Sequence, residues 1–304
     1  MRIFVSIAAY RDIETQDTIR DLFDQARHPA RINVGVCAQV APDDPPGCVP
    51  RQSKHVKMRL VHAQASRGPC WARSRILTEL FTDEDFVLQI DSHMRFEPGW
   101  DESLLNMWRQ LNDERGIISC YPVGYTPPRT LGTKLIPILR PKEFSSQGIL
   151  LLNSDVIPYA QRPKAPIPNH FVAAGFVFAP ALAFRQVPYD PYLYFHGEEI
   201  SLSARLFTHG WNTYAPNDVI LYHNYHHNSR RPKHWEDQRH WTSQNRRSVD
   251  RVKALLSGKG LTYFGAYGLG QQRSLQAFET ETGVSFSTQT IAPKKALALV
   301  SKTD

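Results

Sequence analysis

A chain of 304 residues is long enough for one large domain or two packed halves with a full core. Its 41% hydrophobic and 21% charged content are globular values and exclude an intrinsically disordered chain. The net charge of +7 favours anionic partners (phosphates, nucleotides, nucleic acid or an acidic membrane surface), and much of the excess falls between Arg230 and Lys253.

In chain order, Ile3 to Ala9 is apolar at nearly every position, the pattern of a strand covered on both faces. Ile19, Leu22, Phe23 and Ala26 then share one helical stripe, closed by Pro29. Ile32 to Val40 reads as a second strand, Ala41 to Pro50 as a plain surface loop, and Val56 to Ala63 as a third strand. Pro69 stands where a helix starts; that helix turns Ala72, Ile76, Leu77, Leu80 and Phe81 inward and leaves Arg73 and Ser74 elsewhere on its surface. Phe86 to Ile90 is the next strand, and it ends abruptly in Asp91-Ser92-His93. This order of strands and helices is a Rossmann-like α/β half, and the absence of GxGxxG after the first strand speaks against a dinucleotide.

Ligands of open α/β sheets sit beyond the carboxyl ends of such strands. On an extended backbone Asp91 and His93 leave the same face, where a carboxylate and an imidazole can hold a divalent cation, and the cation a diphosphate. A turn-capping aspartate and a surface histidine fit the same spacing.

Gly99 to Arg115 is an amphipathic helix with Leu104, Leu105, Trp108 and Leu111 on one stripe, followed by a strand at Ile117 to Cys120. Tyr121 to Pro168 is rich in proline and reads as a long irregular excursion, a functional loop or lid. A strand at Phe171 to Phe178 is interrupted by Ala173-Ala174-Gly175, where Gly175 marks a bulge or a close ligand. Glu198 and Glu199 open a helix that stops at Gly210; alone, they fit ordinary partners of the helix dipole. Val219 to Tyr222 ends at His223 as Phe86 to Ile90 ends at Asp91, with His226 and His227 as rivals. Lys233 to Leu256 reads as one basic helix with Trp235 and Trp241 resembling core residues. Its charge suits a solvated face, a closing loop that lays Arg230, Arg231 or Lys233 on a diphosphate, or, least well, nucleic acid.

Four scattered cysteines, Cys37, Cys48, Cys70 and Cys120, form no CxxC pair, which disfavours a zinc site or a disulfide framework. The start shows no secretory h-region, and the longest apolar run, Phe171 to Phe184, is too short for a membrane span and contains Pro180. A cytoplasmic protein without stable membrane insertion is the simplest expectation.

Several blocks line up with a known family: Phe4-Val5-Ser6-Ile7-Ala8-Ala9-Tyr10-Arg11-Asp12, Gly68-Pro69-Cys70-Trp71-Ala72-Arg73, Gln89-Ile90-Asp91-Ser92-His93, and Tyr194-Phe195-His196-Gly197-Glu198-Glu199-Ile200. With Tyr267-Gly268-Leu269-Gly270 and Arg273-Ser274-Leu275, the chain resembles the cytosolic N-acetylglucosaminyltransferases that modify hydroxyproline on an F-box adaptor, and their bacterial relatives. The resemblance implies a GT-A fold, a mixed α/β sheet flanked by helices in one catalytic domain. Residues 1–124 would form the nucleotide-sugar half, 125–258 the acceptor half and 259–304 a C-terminal segment. It implies Mn²⁺ or Mg²⁺ on Asp91, His93 and His223, and UDP-GlcNAc as donor near Ala9, Tyr10, Arg11, Gln39, Arg73, Asp91, Ser92 and Gly175. Glu198 or Glu199 would meet the sugar, configuration would be retained, and the acceptor hydroxyl would belong to a protein or a saccharide. For Arg73 alone, a solvated helix arginine remains the competing reading. Another UDP-hexose as donor, or a binding module without turnover, are the alternatives.

Overall fold

Alternation along the first strand, β1 (Ile3–Tyr10), sorts the molecule into two layers of core. Ile3, Val5, Ile7 and Ala9 pack into one cluster and Phe4 into another, as successive side chains of a strand must. The computed structural model describes residues 1–226, 232–257 and 264–293.

The first cluster is closed by α1 (Thr15–Asp24) and α3 (Trp100–Gln110), through Ile19, Leu22, Trp100 and Leu104. The second is closed by α2 (Pro69–Glu79), α5 (Glu198–Thr208) and α7 (Trp241–Leu256), with α4 (Ala181–Gln186) at its margin. Between the layers lies an eight-stranded sheet. β2 (Ile32–Val40), β3 (Val56–His62) and β4 (Phe86–Asp91) run parallel to β1, in the order β3-β2-β1-β4. β12 (Phe176–Pro180) then pairs antiparallel with β4 and with β6 (Gly116–Ser119). β13 (Asn212–Ala215) and the edge strand β11 (Ile167–Asn169) complete the sheet. Phe178 stacks on Phe86 with centroids 5.0 Å apart, tying β12 to β4 through their side chains as well as their ladder.

A second sheet sits beyond the carboxyl end of β4. It joins β5 (Met94–Phe96), β14 (Leu221–His223), β7 (Val123–Thr126) and β8 (Thr130–Leu131). β14 is therefore shorter than the expected strand and lies outside the main sheet.

The chain from Tyr121 to Pro168 is mostly strand, in contrast to the irregular excursion expected. β9 (Leu135–Phe144) and β10 (Leu150–Pro158) form a long antiparallel ribbon with an irregularity at Leu151/Leu152. A two-stranded ribbon leaves one edge of each strand unpaired, so Pro137 and Pro141 remove no second ladder. α3 stops at Gln110 instead of running to Arg115, because Asn112 adopts φ +48 and Asp113 binds the Arg115 and Gly116 N–H groups. The Ala41 to Pro50 loop is not plain surface: the Asp44 side chain and Cys48 are buried. All four cysteines are buried free thiols. Among the described residues no helix is long and apolar enough to cross a membrane.

Candidate active site

The expected basic helix is two. α6 (His234–Asp237) is separated from α7 by an extended Gln238, whose side chain donates to the Ala63 and Gln64 carbonyls at 3.1 and 2.8 Å. Trp235 is half-buried and Trp241 is 36% exposed, so neither is a core tryptophan. Arg230, Arg231 and His227 lie outside the described residues.

Three side chains from two sheets meet just past β4. Asp91 ends β4, His93 follows in the turn to β5, and His223 ends β14. One ligand atom from each lies within 4.8 Å of the others. The two Nε2 atoms are 3.0 Å apart, and His223 Nε2 is 3.2 Å from Asp91 Oδ2. His93 Nδ1 lies 2.6 Å from Asp12 Oδ2, which also accepts from Ser92 Oγ at 2.7 Å. A carboxylate at Nδ1 holds the proton there and leaves the Nε2 lone pair facing His223 and Asp91. One oxygen and two nitrogens converging on a point need a shared proton or a cation between them, and this donor set fits a divalent transition metal.

Arg73 closes the other side of Asp91. It is 3% exposed, not solvated: α2 begins at Pro69, and one turn on it turns the guanidinium inward. Nη2 donates to Asp91 Oδ1 at 2.9 Å, and Nη1 donates to Glu198 Oε1. Burial raises the Asp91 carboxyl, but the His223 hydrogen bond and the Arg73 charge outweigh it and hold the group well below the usual carboxylate range.

Both helices reach the site through glycines that no other residue replaces without strain. Gly68 (φ +91) lies against the Tyr194 carbonyl, and Gly197 (φ +91) packs where a Cβ would come 2.6 Å from Val252 Cγ2. Gly197 sets Glu198 and Glu199 in the first turn of α5. Glu199 accepts from the Ala174 N–H at 2.9 Å and from Tyr121 Oη. Burial pushes its carboxyl up to about 7, against these two hydrogen bonds. A Cβ on Gly175 would sit 2.7 Å from Asp91 Oδ2, so the backbone approaches the carboxylate closely there. The resulting cleft of about 480 Å³ is lined by Arg73, Asp91, Gly175, Glu198, Glu199 and His223, with Leu150 and Leu152 of the ribbon opposite.

Ala9, Tyr10, Arg11 and Gln39 gather in a second group at the ends of β1 and β2. Gln39 Nε2 donates to the Ala9 carbonyl at 3.2 Å, and the Arg11 N–H to the Gln39 carbonyl at 2.9 Å. Asp237 lies over this group: Tyr10 Oη donates to it at 2.6 Å and Arg11 Nη1 at 3.0 Å, while Arg11 Nε binds Asp44 at 2.8 Å. Beside it His234 is buried among Tyr194, Phe195 and Trp235, with neither ring nitrogen hydrogen-bonded among the described residues; burial lowers it to about 4. Ser92 points away from the cleft, toward Asp12. Sequence reasoning missed Asp12, Tyr121 and Asp237. Asp12 stands inside one of the recognised blocks, whereas Tyr121 and Asp237 carry no local signal.

A mixed sheet of this strand order, with a metal-competent donor set past its central strand, defines the GT-A class of glycosyltransferases. A family model described as Glycosyltransferase (GlcNAc) matches residues 2–54 and 48–288, and the chain belongs to that family. Among solved structures it is similar to GalNAc-T7 with UDP, GalNAc and Mn²⁺, at 13% identity and TM-score 0.57 over 92% of this chain and 55% of that one. It is also similar to S. aureus TarS 1-349 in complex with UDP, at 9% identity and TM-score 0.53 over 93% of this chain and 70% of that one. At these identities the likeness is one of fold, and the chain spans little more than half the length of GalNAc-T7. No individually curated protein sequence matches.

Proposed function

We propose that this protein transfers N-acetylglucosamine from UDP-GlcNAc to a hydroxyl of a protein, hydroxyproline included, or of a saccharide, with retained configuration and with a divalent cation on Asp91, His93 and His223. The observation that carries the reading is the convergence of those three side chains beside a buried Arg73. A cation held there would supply Lewis-acid neutralisation of the diphosphate, and two imidazoles favour Mn²⁺ over Mg²⁺.

The chain's own residues divide the remaining work. Asp12 orients His93. Arg73, kept charged by Glu198 and Asp91, offers a fixed positive charge beside the phosphates. Each Glu199 oxygen already accepts one hydrogen bond and keeps a lone pair for a sugar hydroxyl. Gly175, without a side chain, leaves room for the Asp91 carboxylate at the wall of the cleft. Tyr10, Arg11 and Gln39 would receive the uridine once Asp237 moves aside. In a front-face reaction the departing phosphate itself takes the acceptor proton, so the cleft needs no separate base.

The test is a donor screen that records UDP release from each UDP-sugar with and without Mn²⁺. Mn²⁺-dependent release from UDP-GlcNAc above all others is the expected result. Metal-dependent UDP binding with no release from any donor, even with acceptor mixtures, would favour a binding module instead.

A further inference from the structure

Behind the wall of the cleft lies a larger groove, of about 1280 Å³, between α2 and α7. α2 presents Trp71, Arg75 and Thr78 to it, and α7 presents Gln244, Arg247, Arg251 and Ala254, each set at the spacing of one helical face. Four arginines line the groove against one aspartate, Asp250. Arg67 and Arg247 are exposed, and their side chains make no hydrogen bond or ion pair among the described residues. Arg251 is fixed by Asp190 at 2.7 Å, and its guanidinium lies 5.1 Å from the ring centre of Tyr192. Tyr192 is 67% exposed, yet it is held by Arg251 and by a T-shaped contact with Tyr267, with centroids 6.0 Å apart. An exposed aromatic ring held rigid in this way is a preorganised stacking surface, with its ordering cost already met.

Groove and cleft share one wall. Along the start of α2, Arg67 and Trp71 face the groove while Pro69 and Arg73 face the cleft. Along the segment before α5, Tyr192 and Tyr194 face the groove while Phe195 and Gly197 face the cleft. A chain lying on the stacking surface would have to cross the Tyr194–Phe195 segment to bring a hydroxyl to Glu199.

We propose that this groove binds an anionic saccharide chain and holds the acceptor beyond its reacting hydroxyl. Flat aromatic faces suit sugar rings, and the unpaired guanidinium groups suit carboxylate or sulfate substituents. The acceptor role rests on the transferase reading; the binding does not.

The experiment titrates the full chain with a hyaluronan hexasaccharide, a heparin hexasaccharide, uncharged chitohexaose and a single-stranded oligonucleotide, followed by tryptophan fluorescence and calorimetry. UDP release from UDP-GlcNAc without acceptor is measured alongside. At least one anionic hexasaccharide should bind about tenfold tighter than chitohexaose. Arg67→Ser with Arg247→Ser, both exposed positions, should weaken that binding about tenfold, as should Trp71→Ala, with UDP release unchanged. Equal binding of chitohexaose, tighter binding of the oligonucleotide, or indifference to Arg67→Ser with Arg247→Ser would overturn the proposal. Saccharide binding with no UDP release, even when the bound saccharides are supplied as acceptors, would sink the transferase reading and leave the groove intact. UDP release with no saccharide bound would do the reverse.

Discussion

Gly175 and Asp91 constrain each other tightly in the cleft. With only 2.7 Å between a Cβ at that position and Asp91 Oδ2, Gly175→Ala must displace the carboxylate from His223. Mn²⁺-dependent turnover should fall about 10–100-fold, the usual cost of a misaligned metal ligand, while circular dichroism stays native. Undiminished activity would mean that Asp91 holds no cation. Glu199 gives a second prediction, in pH. Its carboxyl is raised from 4.5 to about 7 in the folded chain, so the folded state binds this proton more tightly than the unfolded state. That contribution to stability is complete below about pH 4.5 and is lost as pH rises through 7. Glu199→Gln should therefore gain stability relative to the parent chain between about pH 5 and pH 8 in urea unfolding, while lowering turnover more than donor affinity. Parallel stability profiles would refute the assignment. Asp91, His93, His223 and the two glutamates were legible in the sequence because each stands at an element's end, where periodicity stops. Asp12, Tyr121 and the burial of Arg73 were not, since each depends on a partner that is distant along the chain.

At the scale of elements, β1 and β2 could be read almost to the residue because continuous apolar runs bury both faces of a parallel strand. The expected strand from Phe171 forms only from Phe176 onward, past the interruption expected at Ala173-Ala174-Gly175, and its first part is lost for a specific reason. From Val172 to Ala174 the backbone bonds to side chains in place of a ladder: Ser203 binds the Val172 N–H, Ser119 the Ala173 N–H, and Gln89 the Ala174 carbonyl. No pattern in residues 171–178 encodes those partners, and the loop they create is the one that carries Gly175. The helical break at Gln238 is equally nonlocal and sets Asp237 on Tyr10 and Arg11. If those two groups receive the donor's uridine, Asp237 competes with it. Asp237→Asn should then tighten UDP binding severalfold in calorimetry, since the incoming nucleotide no longer displaces a charge-assisted pair. Weaker binding would instead make α6 a roof that the pair holds in place over the nucleotide.

The three metal-competent side chains join parts of the molecule that share no strand ladder: β4 belongs to the eight-stranded sheet, and β5 and β14 to the smaller one. A ligand that binds only when both sheets are in place stabilises the folded chain as a whole, by linkage. At a Mn²⁺ concentration about a hundredfold above its dissociation constant, the gain is about 2.7 kcal/mol. For a domain of this size that corresponds to a rise of about 5 °C in Tm, a shift that needs neither donor nor acceptor to be known. His93→Ala keeps the Arg73–Asp91 pair but removes one of the three candidate ligands, so it should abolish most of the Mn²⁺-dependent rise while changing the metal-free Tm little. A His93→Ala chain that still gains the full shift would place the cation elsewhere, and a parent chain that gains none would leave the two histidines joined by a proton alone.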